Sequence, residues 1–328
     1  MAWNWRRQSM PGWRAGCEED VCLRRLDFCC LKDPSGWEML GGMDRDRRGP
    51  ARPWVGRKQA PKKQARTGAV GWDPVAAWYD QLVGKDGSDY HQHVVLPAAL
   101  KWLGDIRGQR GLDLCCGQGV LVADLLKAGV KEVRGVDASA KLVESARRRF
   151  AEDKRVEFVV ADACSADAGW ADGGFDFAAC LMAVHDVPDL PAMARNAARA
   201  LKPGGAMVAI FMHPCFRIPR QTHWGWDEGR KLQYRRVDRY GVDLEIPIKT
   251  HPGKGGEGET LFYHRPLGTV LNDFGAAGLA VVGTEELYSH RRSQAGGARS
   301  KGEHRAAREF PMFLALKLVR MPAPGAGQ

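Results

Sequence analysis

The stretch Asp113-Leu-Cys-Cys-Gly117-Gln-Gly119 constrains this chain more than any other part of it. It follows the apolar pair Gly111-Leu112 and precedes a helix-like run, so it reads as the turn where a buried strand passes into a helix. Two glycines there let the backbone come close to a ligand, and the free N–H groups of the helix's first turn face the same point. Such a turn suits a nucleoside-bearing cofactor. The dinucleotide fingerprint G-x-G-x-x-G is incomplete, because Val122 stands three positions after Gly119.

Further apolar runs follow in order. Glu132-Val-Arg-Gly-Val-Asp137 ends in a carboxylate, and an acid at the end of a second strand can accept both hydroxyl protons of a ribose. Val156 to Asp162-Ala163 ends in another acid. Phe175 to Met182 reads as a fourth strand, and Leu201-Lys-Pro-Gly-Gly205 opens a fifth over Ala206 to Met212. Between them, Leu142, Val143, Ala146 and Phe150 form one helical stripe, and Leu190, Met193, Ala194, Ala197 and Leu201 form another. Alternating strands and helices imply a parallel sheet covered on both faces, with ligands gathering outside the carboxyl ends of the strands.

Taken together, the acid four positions ahead of G-x-G, Asp137, Asp162-Ala163 and the Leu201-Lys-Pro-Gly-Gly205 turn resemble the class I S-adenosylmethionine (SAM) methyltransferases of the small-molecule type. The resemblance implies a doubly wound, Rossmann-like α/β fold with a seven-stranded, mostly parallel sheet whose last strand is antiparallel. It implies SAM as cofactor, with Asp113, Cys115, Gly117, Gly119, Asp137, Ala138, Asp162, Ala163 and Met182 as the residues that bind it. Cys115 departs from the family's usual glycine at that position and narrows the space beside the methionine portion. Cys115 and Cys116 otherwise read as small buried residues, without a redox role.

The pattern changes after the fifth strand. Residues 213–264 form an inserted cap rich in Trp, Tyr, Arg and Gly, with strand-like stretches near Leu232 to Tyr240 and Leu244 to Ile248. Aromatic faces interleaved with cations suit a flat or anionic acceptor, so Trp224 and Trp226 are substrate-binding candidates. Order begins at Trp72-Asp73-Pro74, where Asp73 is placed to cap a helix and Pro74 to start it. A second helix is expected near Val94 to Leu103. In the resembled family this N-terminal region folds over the cofactor, which adds Tyr79, Tyr90 and His91 to the substrate side. His185 and His213, directly after the fourth and fifth strands, are the candidate general bases. No metal site is expected, since the His91-Gln-His93 pair has no third ligand identifiable nearby. The segment His290 to Arg308 reads as a basic solvated loop between the last two strands.

Charge and cysteine usage bound the rest. Of a net charge of +10, residues 1–70 carry +7, most of it in Arg45 to Arg66. That Gly, Pro and Lys/Arg mixture reads as a disordered basic leader, with 71–320 as the methyltransferase domain and 321–328 as a tail. Four tryptophans and four cysteines crowd into residues 1–42 without periodicity, and Met43 is the expected working start. Nine irregularly spaced cysteines point to a reducing compartment, the cytoplasm by default. No run reaches the ~18 apolar residues of a membrane span. The expected partner is a small-molecule acceptor. The alternatives are methylation of RNA or another nucleic acid, which the sequence Ala183-Val184-His185-Asp186 does not favour, and a SAM-binding regulator without turnover.

Overall fold

The computed structural model describes residues 71–249, 258–292 and 296–322. The expected leader, the Met43 start and nearly all of the 321–328 tail lie outside the described residues.

The chain builds one sheet from seven strands: β1 (Arg110–Leu114), β2 (Glu132–Asp137), β3 (Val156–Val160), β4 (Phe175–Leu181), β5 (Leu201–Met212), β10 (Leu279–Leu287) and β11 (Phe313–Arg320). Their order is β10-β11-β5-β4-β1-β2-β3. The first five run parallel, and β11 lies antiparallel to both β5 and β10. The doubly wound sheet with its antiparallel last strand therefore forms as anticipated. Short apolar runs with both faces covered account for it: β4 is buried along most of its length, Phe175 packing into one helical layer and Phe177 into the other.

Helices α3 (Val120–Lys127) and α4 (Ala140–Arg149) follow β1 and β2, and α5 (Leu190–Ala200) follows β4. Each begins where local chemistry supplies an end. Gly119 starts α3 in the left-handed region at φ 78°, and an added Cβ there would meet Phe150 at 2.9 Å. The Ser139 side chain accepts from the Leu142 N–H to cap α4, and Asp189 does the same for the Ala192 N–H at α5. Helix α6 (Leu267–Ala276) packs Val270 and Phe274 into the same layer as α5. Truncating a fully buried aromatic such as Phe177 to alanine costs about 3–5 kcal/mol, which identifies these layers as the main source of stability.

The chain enters through a 3-10 turn, Asp73–Val75, and helix α1 (Ala76–Val83). Asp73 does not cap that helix; its carboxylate instead accepts from Ser139 Oγ at 2.5 Å and from the Lys141 N–H at 3.2 Å, at the start of α4. The second helix starts earlier than expected. It is helical from Asp89, runs as a π-helix over His91–Val95, and continues as α2 (Leu96–Leu103). Pro97, which lacks an N–H, lies at the start of the regular α-helical part and fits this change of winding.

The inserted cap consists of two antiparallel hairpins, β6 (Thr222–Asp227) with β7 (Leu232–Val237) and β8 (Leu244–Lys249) with β9 (Glu259–His264). Ile218, Ile246 and Phe262 form its small core. The basic segment after β10 is not a loop throughout: it contains helix α7 (Gly297–Glu309). Its partners are tertiary. Gly302 sits so close under the Trp226 ring of β6 that a Cβ would meet it at 2.4 Å, and Ala306 is fully buried. The pairs Arg299–Glu303 and Arg305–Glu309 line its outer side in the weaker i,i+4 order. Among the described residues, no helix is long and apolar enough to cross a membrane.

Candidate active site

The carboxyl ends of β1 to β4 surround a cleft of about 680 Å³, counted to its solvent-open mouth. Each wall comes from one turn. Cys115 and Gly117 stand after β1, Asp137 and Ala138 at the end of β2, Asp162 and Ala163 after β3, and Met182 and Asp186 after β4. Trp72 and Tyr79 of the N-terminal segment close the remaining side, their rings edge to face at 5.0 Å. A second lobe of about 380 Å³ shares Tyr79, Cys115, Gly117 and Leu181 with the first and reaches Asp113, Gln118 and His91. The three strand-end carboxylates thus face two adjoining lobes that share these four lining residues.

Hydrogen bonding distinguishes their tasks. Asp137 accepts from the Gly117 N–H at 2.9 Å through Oδ2 and from the Ser139 N–H at 2.8 Å through Oδ1, which fixes the carboxylate plane and leaves lone pairs toward the cleft. Burial raises its pKa while the two N–H donors oppose the rise. Asp162 accepts from the Cys164 N–H at 2.8 Å. Asp113 is only 2% exposed, and its Oδ2 has no hydrogen-bond partner. Burial, aided by the nearby Asp137, pushes its pKa up to about 8. Gln118, equally buried, has an unsatisfied Nε2 donor in the same lobe.

An unpaired buried acceptor beside an unpaired buried donor costs free energy unless a ligand satisfies both. An amino acid's ammonium and carboxylate would do so. Gly117 adds room, since a Cβ placed there would come no closer than 3.8 Å to another side chain, that of Tyr79. Cys115 and Met182, both lining the first lobe, hold left-handed backbone at φ 56° and 58°. Side chains rarely accept this conformation outside sites that need it.

The two histidines lie elsewhere. His185 faces a separate small cavity with Met212, Pro214, Phe262 and Tyr263, and its ring packs against Phe262 at 4.8 Å. Burial pushes its pKa down to about 3, aided by the nearby Arg265 charge, and its Nδ1 has no partner. His213 is buried at the end of β5, where Nδ1 accepts from the Cys215 N–H at 3.2 Å; the proton then sits on Nε2 and is donated to Glu286 Oε1 at 3.2 Å. Both of its nitrogens are engaged. The ionisable side chain that the β4 end brings to the cleft is Asp186, whose pKa burial and the Asp137 charge raise well above the usual carboxylate range.

Of the other candidate residues, Tyr79 lines both lobes and His91 lines the second. Tyr90 points the other way, its hydroxyl 3.0 Å from Ser289 Oγ. Trp224 and Trp226 stay in the cap. Trp224 is 39% exposed, with the Arg217 and Arg235 guanidiniums 5.6 and 4.7 Å from its ring centre, while Trp226 covers α7. Sequence reasoning missed Trp72, Gln118 and Asp186 as cleft residues. For Gln118 the signal was available, as a polar side chain between the two glycines of the turn. A three-residue set that sequence spacing does not reveal also appears: Asp89, His93 and His290 bring ligand-type atoms within 4.8 Å of one another. Arg291 already occupies the Asp89 carboxylate at 2.7 Å.

The cap is tied to the cleft wall. Tyr263 of β9 donates its N–H to the His185 carbonyl at 2.6 Å, and Arg265 Nη2 donates to the carbonyls of Val187 and Pro188 at 2.7 and 2.9 Å. Val187 and Pro188 themselves line the cleft.

Comparison with known proteins agrees with this geometry. The family profile described as a methyltransferase domain matches residues 112–205, from β1 into β5. A 2-phytyl-1,4-naphtoquinone methyltransferase of Trichormus variabilis is 33% identical over 146 residues, which cover 43% of this chain and 63% of that protein. A demethylmenaquinone methyltransferase of Staphylococcus aureus is 32% identical over 135 residues, covering 40% of this chain and 54% of that protein. The chain thus spans less than two thirds of the length of these relatives. The crystal structure of a SAM-dependent methyltransferase from Mesorhizobium loti superimposes with a TM-score of 0.55 at 29% identity, covering 72% of this chain and all of that one. Over residues 112–205 the chain is therefore similar to the methyltransferase domain, and its seven-stranded sheet shares the fold of a SAM-dependent methyltransferase.

Proposed function

We propose that the protein binds SAM in the two-lobed cleft and transfers its methyl group to a small-molecule acceptor. The observation that carries this reading is that Asp113 Oδ2 and Gln118 Nε2, one buried acceptor and one buried donor, are each left unsatisfied in the second lobe, next to a lobe lined by two further strand-end carboxylates. In this reading Asp113 and Gln118 hold the amino-acid end of the cofactor. Asp137 takes the ribose hydroxyls, Asp162 and Ala163 read the adenine edge, Gly117, Ala138, Cys115 and Met182 shape the surrounding surface, and Gly119, which lines neither lobe, lets α3 start against Phe150. Bound SAM supplies an activated methyl group on a sulfonium, so the protein's task is alignment and exclusion of water.

Trp72 and Tyr79 close the cleft on one side, and the wall Val187-Pro188, held by Arg265, closes it on another. Where the acceptor must lose a proton, Asp186 is the group we assign. Its raised pKa brings it toward the range in which a carboxylate works as a base near neutral pH. His213 and His185 then act as positioning residues, His213 bracing the turn after β5 and His185 filling the space beneath the cap. The free thiols of Cys115, Cys116, Cys164, Cys180 and Cys215 fit a cytoplasmic setting. The named relatives are methyltransferases of 2-phytyl-1,4-naphtoquinone and of demethylmenaquinone, which supports a small-molecule acceptor; the matched family profile ends at residue 205, before the cap.

Incubating the full chain with methyl-labelled SAM and a cell metabolite extract, then identifying labelled products by mass spectrometry, tests the reading. Label in a small molecule is the expected result. Binding of the cofactor with no label transferred to any fraction would contradict it and favour a regulator without turnover.

A further inference from the structure

A second cavity lies on the same rim of the sheet, beyond β11. It is bounded by Ser289, His290, Arg291 and Arg292 after β10 and by His304 and Arg308 of α7, with a volume of about 680 Å³ counted to its open mouth. Among the described residues, no carboxylate lines it. Asp89 neutralises part of the charge from outside, accepting from His290 Nε2 at 3.0 Å and from Arg291 Nε at 2.7 Å. Arg292 and Arg308 have no ion-pair partner among the described residues, in contrast to Arg299 and Arg305 on the same helix as Arg308, each paired with a glutamate. His304 Nε2 is buried without a hydrogen-bond partner.

The cavity adjoins the methyl-donor cleft through two consecutive residues. His91 lines the second lobe of the cleft, while Tyr90 packs edge to face on His290 at 5.2 Å and lies under the Arg291 guanidinium at 5.0 Å. A molecule reaching across Tyr90 would therefore touch both spaces.

We propose that this cavity is an oxyanion site that holds the phosphoryl group of the acceptor. Two guanidiniums without an ion-pair partner among the described residues offer several divergent donors and more than one positive charge. That set matches the oxygens of a phosphate or diphosphate better than the single charge of a carboxylate. The proposal rests on the methyltransferase reading for the acceptor's role, whereas the anion site itself does not depend on it.

Isothermal titration of the full chain with inorganic pyrophosphate tests the site, with S-adenosylhomocysteine titrated in parallel as a measure of an intact donor cleft. Saturable one-site pyrophosphate binding is expected, weakened at least about tenfold, or about 1.4 kcal/mol, in the double variant Arg292→Gln, Arg308→Gln. The homocysteine compound should bind both proteins alike. Absence of saturable pyrophosphate binding, or equal binding by the double variant, overturns the site. To test the acceptor's role, metabolite extract is divided and half is treated with phosphatase before incubation with labelled SAM. Label confined to the untreated half is expected. Label that persists after phosphatase treatment overturns the phosphoryl acceptor, even where pyrophosphate binding stands. No label in either half, with homocysteine compound bound, is the failure of the methyltransferase reading instead, and it too removes the acceptor role.

Discussion

Ser139 Oγ donates to Asp73 Oδ1 at 2.5 Å, so the residue that caps α4 also anchors the segment that closes the cleft. Ser139 stands two positions after Asp137 and gives its N–H to that carboxylate. One short loop thus presents the Asp137 carboxylate to the cleft and anchors the segment that carries Trp72 and Tyr79. A second clasp, Ser145 Oγ to Asp80 Oδ2 at 3.1 Å, fixes α1 along the same helix.

Asp73→Ala removes both of that side chain's hydrogen bonds and should release the closing segment. At about 1 kcal/mol net for each bond, cofactor affinity is expected to fall roughly tenfold or more, mostly through faster dissociation. Stopped-flow release of S-adenosylhomocysteine measures it. The bond to Ser139 depresses the Asp73 pKa below 3.8. Its contribution is therefore complete above that value and is lost as pH falls through the folded-state pKa, outside the neutral range.

Asp113 has the opposite sign. Its pKa rises from 3.8 to about 8 on folding, so the cofactor-free native protein binds more protons than the unfolded chain between those values, and stability falls as pH rises through that window. Asp113→Asn should flatten this dependence and raise the melting temperature of the cofactor-free protein near pH 8, measured by scanning calorimetry. The same variant should bind S-adenosylhomocysteine at least about tenfold more weakly, by loss of a charge-assisted bond worth roughly 1.5–3 kcal/mol. A variant weakened in both properties would count against the role of Asp113 Oδ2.

Cys115 holds left-handed backbone in the cleft wall. Cys115→Gly should relieve about 1 kcal/mol of that strain and leave the melting temperature equal or higher, whereas Cys115→Val should lower it, because a β-branched residue fits this region worst. Thermal denaturation of the two variants side by side gives the comparison.

Asp186→Asn should reduce kcat by roughly 100-fold or more for an acceptor that must lose a proton, with cofactor affinity nearly unchanged. His213→Ala should lower stability more than turnover, since both ring nitrogens serve the structure. Single-turnover kinetics with labelled SAM distinguishes the two; a larger loss of kcat in His213→Ala would return the base to that residue.

The donor half of the molecule was legible because its signals are local. Each strand ends in its own acid or glycine turn, and Asp113, Asp137 and Asp162 reach one cleft simply because parallel strands end on one rim. Features that depend on distant partners were not legible. Asp73 has the chemistry of a helix cap, yet Ser139, 66 residues away, takes it. Helix α7 carries two glycines and little apolar periodicity, and exists because Trp226 and the protein's interior cover one side of it. His213 is a candidate base by its place after the fifth strand, but Glu286 and the Cys215 N–H occupy its ring. Asp186 is the sequence neighbour of His185, and adjacency alone suggests a pair. Its Oδ2 instead stands 4.0 Å from the His185 Nε2, beyond hydrogen-bond reach, and the side chain lines the cleft.

Isothermal titration of S-adenosylhomocysteine into the full chain and into Asp137→Ala bears most directly on the cleft as the cofactor site. Saturable one-site binding that disappears in the variant, while circular dichroism shows both proteins folded, is the predicted result. No binding by the unmodified chain, or equal binding by Asp137→Ala, would contradict it.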